Sequence, residues 1–102
     1  MNDADEGAFT GEIAAKMILD AGAKFVILGH SERRQIFKED DAFINRKVKR
    51  ALESGLIPIL CIGENLEERE AGKAEDVIKY QLSRGLDGIT GEQIVNILIA
   101  YE

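Results

Sequence analysis

The residues with most capacity for chemistry in this chain stand directly after short apolar runs. Phe25-Val26-Ile27-Leu28 leads into Gly29-His30-Ser31-Glu32-Arg33-Arg34, and Ile57-Pro58-Ile59-Leu60-Cys61-Ile62 leads into Gly63-Glu64-Asn65. A third run, Asn96-Ile97-Leu98-Ile99-Ala100-Tyr101, ends at Glu102. These places hold the only histidine and the only cysteine of the chain, beside several carboxylates. His30 immediately precedes a helix start, so its ring faces the positive end of a helix. That field favours a neutral imidazole able to donate a hydrogen bond to a carbonyl oxygen. Glu102, a carboxylate at the end of a strand, is a candidate general base.

The neighbouring residues have plainer readings. Ser31 is expected to cap a helix rather than act as a nucleophile, because nothing around it has the pattern of a triad. Glu32, Arg33 and Arg34 read as a surface ion-pair cluster, with phosphate binding by the arginines as the alternative. Cys61 lies inside an apolar run and is expected to be a packed, inert thiol. One cysteine and one histidine without ligand spacing argue against a zinc site. Glu64 reads as a helix-starting carboxylate, and the basic stretch Arg46-Lys47-Val48-Lys49-Arg50 as a solvated helix face.

The elements that must position these groups follow from periodicity. None of the apolar runs alternates polar with apolar, which favours parallel strands covered on both faces over antiparallel strands with one wet face. Pro58 fits near the start of its strand. Residues 40–54 place Phe43, Ile44, Val48, Ala51 and Leu52 on one helical face, with Asp40 and Asp41 at the start and Gly55 as the stop. Residues 73–86 repeat the design with Ala74, Val77, Ile78, Leu82 and Leu86. Ahead of the first strand, Thr10 is expected to cap a helix with Ile13, Ala14, Met17, Ile18 and Ala21 inward, ending at Gly22. Asn65 with Glu68, and Thr90 with Gln93, read as capping boxes of two shorter helices. The spacing of the runs suits right-handed βαβ units, and the expected class is α/β. Ligands of such folds collect at the carboxyl ends of the strands.

Composition bounds the partners. The chain has 102 residues, 19 acidic and 13 basic side chains and a net charge of −6, with 45% hydrophobic residues. That is one domain at most, apolar enough to fold. The acidic balance argues against nucleic acid or an anionic membrane as partner. No apolar run approaches a membrane span, and Met1-Asn2-Asp3-Ala4-Asp5-Glu6 lacks the character of a signal peptide. A cytoplasmic location is the expectation, and a lone Cys61 suits a reducing compartment.

Gly29-His30-Ser31-Glu32-Arg33-Arg34 closely resembles a signature of the triosephosphate isomerase family. Gly7-Ala8-Phe9-Thr10-Gly11-Glu12-Ile13 agrees in order and spacing, as does Cys61-Ile62-Gly63-Glu64 followed by Leu66-Glu67-Glu68-Arg69-Glu70-Ala71-Gly72. Ile99-Ala100-Tyr101-Glu102 closes the match, which runs essentially the whole chain. The resemblance implies a partial (β/α)₈ barrel, residues 1–102 being an incomplete single domain. Its three parallel strands would be the fourth, fifth and sixth, entered from the loop after the third; a complete barrel takes about 250 residues.

By the established mechanism of that family, the resemblance makes Glu102 the carboxylate base and His30 the neutral electrophile in the interconversion of dihydroxyacetone phosphate and glyceraldehyde 3-phosphate, without a cofactor. Ser31 and Glu32 would support them. Thr10 and Arg33 would belong to the interface of a homodimer. The family's Asn-x-Lys site, its lid and its later phosphate-binding glycine loops have no counterpart here. The 102 residues alone are therefore expected to show little or no activity. The alternative is a non-catalytic βαβαβ module that self-associates or complements another barrel fragment. A flavodoxin-like binding domain ranks lower, since no strand–helix turn offers a glycine-rich phosphate cradle.

Overall fold

The computed structural model describes residues 1–102. The elements are α1 (Ala15–Asp20), β1 (Phe25–Leu28), α2 (Ser31–Gln35), α3 (Asp41–Ser54), β2 (Ile57–Ile62), α4 (Leu66–Glu70), α5 (Ala74–Gly85), α6 (Gly91–Ile94) and β3 (Leu98–Tyr101). The strands form one parallel sheet in the order β1-β2-β3. Its register runs Phe25 to Ile57 and Leu28 to Leu60 on one side of β2, and Ile59 to Leu98 and Ile62 to Tyr101 on the other. Each crossover is helical, as parallel neighbours require.

Local chemistry sets the boundaries. Asp40 caps α3 by accepting from the Phe43 N–H at 2.8 Å, and Gly55 ends it in the left-handed region at φ +87°. Both expected capping boxes form, at Asn65/Glu68 and Thr90/Gln93. Pro58 is tolerated inside β2 because of where its missing N–H would point. The Ile57 N–H bonds toward β1, at the Lys24 carbonyl. The next amide position therefore faces β3, whose pairing begins only at Ile59.

The core lies between the sheet and the α3–α5 layer, with Leu28, Ile44, Val48, Ala51, Leu56, Leu60 and Ile62 all buried. Asn45 crosses that layer, donating to the Gly85 and Asp87 carbonyls at 2.9 Å each. The opposite face of the sheet is open in this chain: Phe25, Ile27 and Leu98 are exposed on it, and Ile99, which lies in register with core-facing Leu60, is exposed on the edge strand. Covering on both faces, the sequence expectation, is thus met on one. No helix is long and apolar enough to cross a membrane.

The first helix departs from expectation. Thr10 lies in a turn with Gly11 and caps nothing; α1 begins at Ala15, after an extended Ala14. Ala15 packs inward, whereas Ile13 and Met17 are exposed. The basic stretch of α3 is only in part a solvated face: Arg46 is exposed, Lys49 and Arg50 are half-buried and Lys47 is buried. Lys47 is 2% exposed and pairs with buried Glu39 at 2.6 Å, while Arg46 and Arg50 bind Asp3. A buried lysine needs such a partner, because an unpaired charge cannot be kept in the interior.

Candidate active site

β1 and β3 flank β2, so His30 and Glu102 can meet only across the end of the middle strand. Gly63 lets this happen. The Glu102 N–H bonds to the Ile62 carbonyl at 3.0 Å, and the Glu102 carbonyl lies directly over the position a Gly63 Cβ would occupy. Gly63 also has φ +155°, at the margin of the range that side chains resist. Gly63→Ala should push the Glu102 backbone aside and, in the full-length enzyme, cost on the order of tenfold in kcat. Steady-state kinetics check this; an unchanged kcat would show that Glu102 does not depend on that close approach.

His30 is the N-cap of α2, with Ser31 the first helical residue, so the expected Ser31 cap is displaced by one position. The imidazole does the capping: Nδ1 accepts from the Glu32 N–H at 3.2 Å. An accepting Nδ1 carries no proton, so the neutral ring bears its proton on Nε2. Nε2 lies 3.4 Å from Glu102 Oε2. Ser31 holds the same carboxylate, through its N–H to Oε1 at 3.1 Å and its hydroxyl to Oε2 at 3.4 Å. Glu32 contributes through its backbone, and its side chain is exposed.

Two polar anchors hold the strand ends, and a third ties α2 to the segment before α3. Arg34 donates from Nε to the Gly29 carbonyl at 2.7 Å and from Nη2 to the Cys61 carbonyl at 3.1 Å, while Nη1 pairs with Asp41 at 2.7 Å. It is a tie between β1 and β2, not a surface ion pair, with three of its five N–H donors engaged by protein groups. Arg33 donates to Glu39 and stacks over Phe37, its guanidinium 4.1 Å from the ring centroid. The Tyr101 hydroxyl donates to Glu64 at 2.7 Å, so Glu64 joins the ends of β2 and β3, and Asn65 starts the helix instead. That bond holds the Glu64 carboxyl below its ordinary value and the Tyr101 phenol above. Cys61 is buried and unpaired, and burial first, then the Glu102 charge, push its thiol up, as suits an inert packed group.

A cleft of about 230 Å³ opens at these ends, lined by Ser31, Arg34, Gly63, Glu64, Gln81 and Glu102 among others. Glu102 lines it, whereas His30 does not. No group of three or more His, Cys, Asp and Glu side chains is arranged to hold a metal. Thr10 is exposed in its turn and takes no part in the cleft.

Three parallel strands with helical crossovers and an open sheet are the arrangement of part of an α/β barrel. The whole chain, residues 1–102, matches the family model for triosephosphate isomerase. It is 61% identical over its full length to the triosephosphate isomerase of Protochlamydia amoebophila, covering 39% of that protein. It is 57% identical over its full length to that of Symbiobacterium thermophilum, covering 40%. With the triosephosphate isomerase of Citrifermentans bemidjiense it shares 56% identity over 96% of the chain, covering 39% of that protein. The chain belongs to the triosephosphate isomerase family. It spans about 40% of the length of these curated relatives.

Proposed function

We propose that this chain supplies the acid–base part of a triose phosphate isomerase site, within a single barrel domain completed by further strands. The observation that carries this is the convergence of Glu102, Ser31 and the Nε2 of His30 across the end of β2. Glu102 is the base, taking a proton from the carbon next to the substrate carbonyl. His30 donates its Nε2 hydrogen bond to the oxygen on which negative charge develops, stabilising the enediolate. The proton on the neighbouring hydroxyl passes to that oxygen, and Glu102 returns its proton to the adjacent carbon. No atom is gained or lost, and no electron leaves the substrate.

The geometry adds a requirement. With 3.4 Å between Glu102 Oε2 and His30 Nε2, no substrate atom fits between them. Substrate entry therefore needs the carboxylate to leave Ser31. The substrate is dihydroxyacetone phosphate or glyceraldehyde 3-phosphate, the location cytoplasmic, and the complete protein a homodimer with Thr10 and Arg33 near its interface. The full-length enzyme should interconvert the two triose phosphates in a coupled assay. His30→Gln, which keeps an N–H but moves it, should lower kcat by on the order of 30-fold. Undiminished turnover of that variant would remove His30 from the role of electrophile.

A further inference from the structure

Gln81 is a buried side chain that the proton-transfer scheme does not use. It lies on α5, whose apolar residues Val77, Ile78 and Leu82 share its inner face, and it spends both ends of its amide on one residue. Its Oε1 accepts from the Gly63 N–H at 2.8 Å, and its Nε2 donates to the Gly63 carbonyl at 3.2 Å. Gly63 is the residue over which the Glu102 backbone passes, and its neighbour Ile62 accepts the Glu102 N–H. A two-point clamp fixes the orientation of both peptide groups around Gly63, which a single bond would leave free to rotate.

We infer that Gln81 is a positioning residue for the base: it locks the turn after β2, and through Gly63 it sets where the Glu102 backbone, and hence its carboxylate, stands. The inference rests on the reading of Glu102 as the base. It assigns a side chain on an outer-layer helix to catalytic geometry rather than to packing. Loss of the clamp acts on the step in which the carboxylate must reach carbon, and it leaves substrate binding by other parts of the barrel intact.

The test is a kinetic comparison of full-length enzymes. Gln81→Met keeps the volume and removes both bonds; kcat should fall by about tenfold, with KM for glyceraldehyde 3-phosphate within about twofold. Gln81→Glu keeps the acceptor for the Gly63 N–H and loses the donor, and should show a smaller loss of about threefold. In a Glu102→Asp background the base is already displaced, so Gln81→Met should cost about twofold rather than tenfold, the mark of two residues acting through one position. A Gln81→Met enzyme that melts lower but turns over at the wild-type rate would overturn the inference and leave Gln81 a packing residue. Full additivity with Glu102→Asp would also overturn it. Should Gln81→Met not fold, an unchanged kcat in Gln81→Glu decides against it. If Glu102→Gln itself turns over normally, the base assignment fails and the inference falls with it; slow Glu102→Gln beside normal Gln81 variants sinks the inference alone.

Discussion

Glu102→Gln in the full-length enzyme is expected to lower kcat by about three orders of magnitude, with KM changed by less than about threefold. The amide keeps the size and reach of the side chain, and it can still accept from the Ser31 N–H as the carboxylate does at 3.1 Å. What it lacks is a basic oxygen to take the proton from carbon. The loss therefore falls on a group that acts in the transition state, which lowers kcat and kcat/KM together. Glu102→Asp keeps the base and shortens it by one methylene, withdrawing it by roughly 1 Å, and should cost on the order of 100-fold. The order of the two variants matters: Gln slower than Asp identifies basicity, whereas a slow Asp variant beside a near-normal Gln variant would point to steric placement only.

The largest expected effect on stability lies away from the site. The Glu39 side chain is 3% exposed and receives Lys47 at 2.6 Å and Arg33 at 2.7 Å on the same oxygen. Glu39→Gln leaves Lys47 buried without its counter-charge and should destabilise the full-length protein by about 3–5 kcal/mol. Adding Lys47→Met, which removes the stranded charge, should recover at least about half of that loss. The pH dependence follows from the same contacts. Burial alone would push the Glu39 carboxyl up, but the hydrogen bonds from Lys47 and Arg33 outweigh it and hold the group below its ordinary value. A carboxylate depressed in the native state stabilises fully above its unfolded value of about 4.3 and loses that contribution as pH falls through the native value. The stability gap between wild type and Glu39→Gln, measured by chemical denaturation, should thus be full at neutral pH and narrow below about pH 4. A gap independent of pH would show that the carboxylate charge is not what Lys47 requires.

The parts legible in the sequence are those governed by local rules. β1 and β2 coincide with their apolar runs because glycine or a helix cap closes each of them. β3 is shorter than its run, since Asn96 and Ile97 are taken by the turn that closes α6, donating to the Gln93 and Ile94 carbonyls. The first helix starts later than its periodicity suggests, because the apolar spacing continues upstream through Ile13 while Gly11, at φ +88°, has already turned the chain. His30 and Glu102 were marked by position alone, at strand ends in a parallel sheet. Their supports were not. Arg34 reaches the Cys61 carbonyl 27 residues away, and Gln81 reaches Gly63 across 18. Hydrophobic periodicity assigns a lysine or arginine to water, since charge does not reveal a distant partner. One signal was present: Lys47 stands three residues after Ile44 and four before Ala51, and Gln81 four after Val77. Polar residues on an apolar face need a partner, and here each has one.

In the proposed reaction Glu102 moves a proton between neighbouring substrate carbons. The direct measurement is deuterium incorporation from D₂O into dihydroxyacetone phosphate by the full-length enzyme, followed by NMR, for wild type and Glu102→Gln at equal enzyme concentration. Wild type should label the carbon bearing the hydroxyl, because the proton held by the carboxylate exchanges with solvent before it returns. Glu102→Gln should label it about a thousandfold more slowly. Labelling by Glu102→Gln at the wild-type rate would contradict the account, since another group would then be the base.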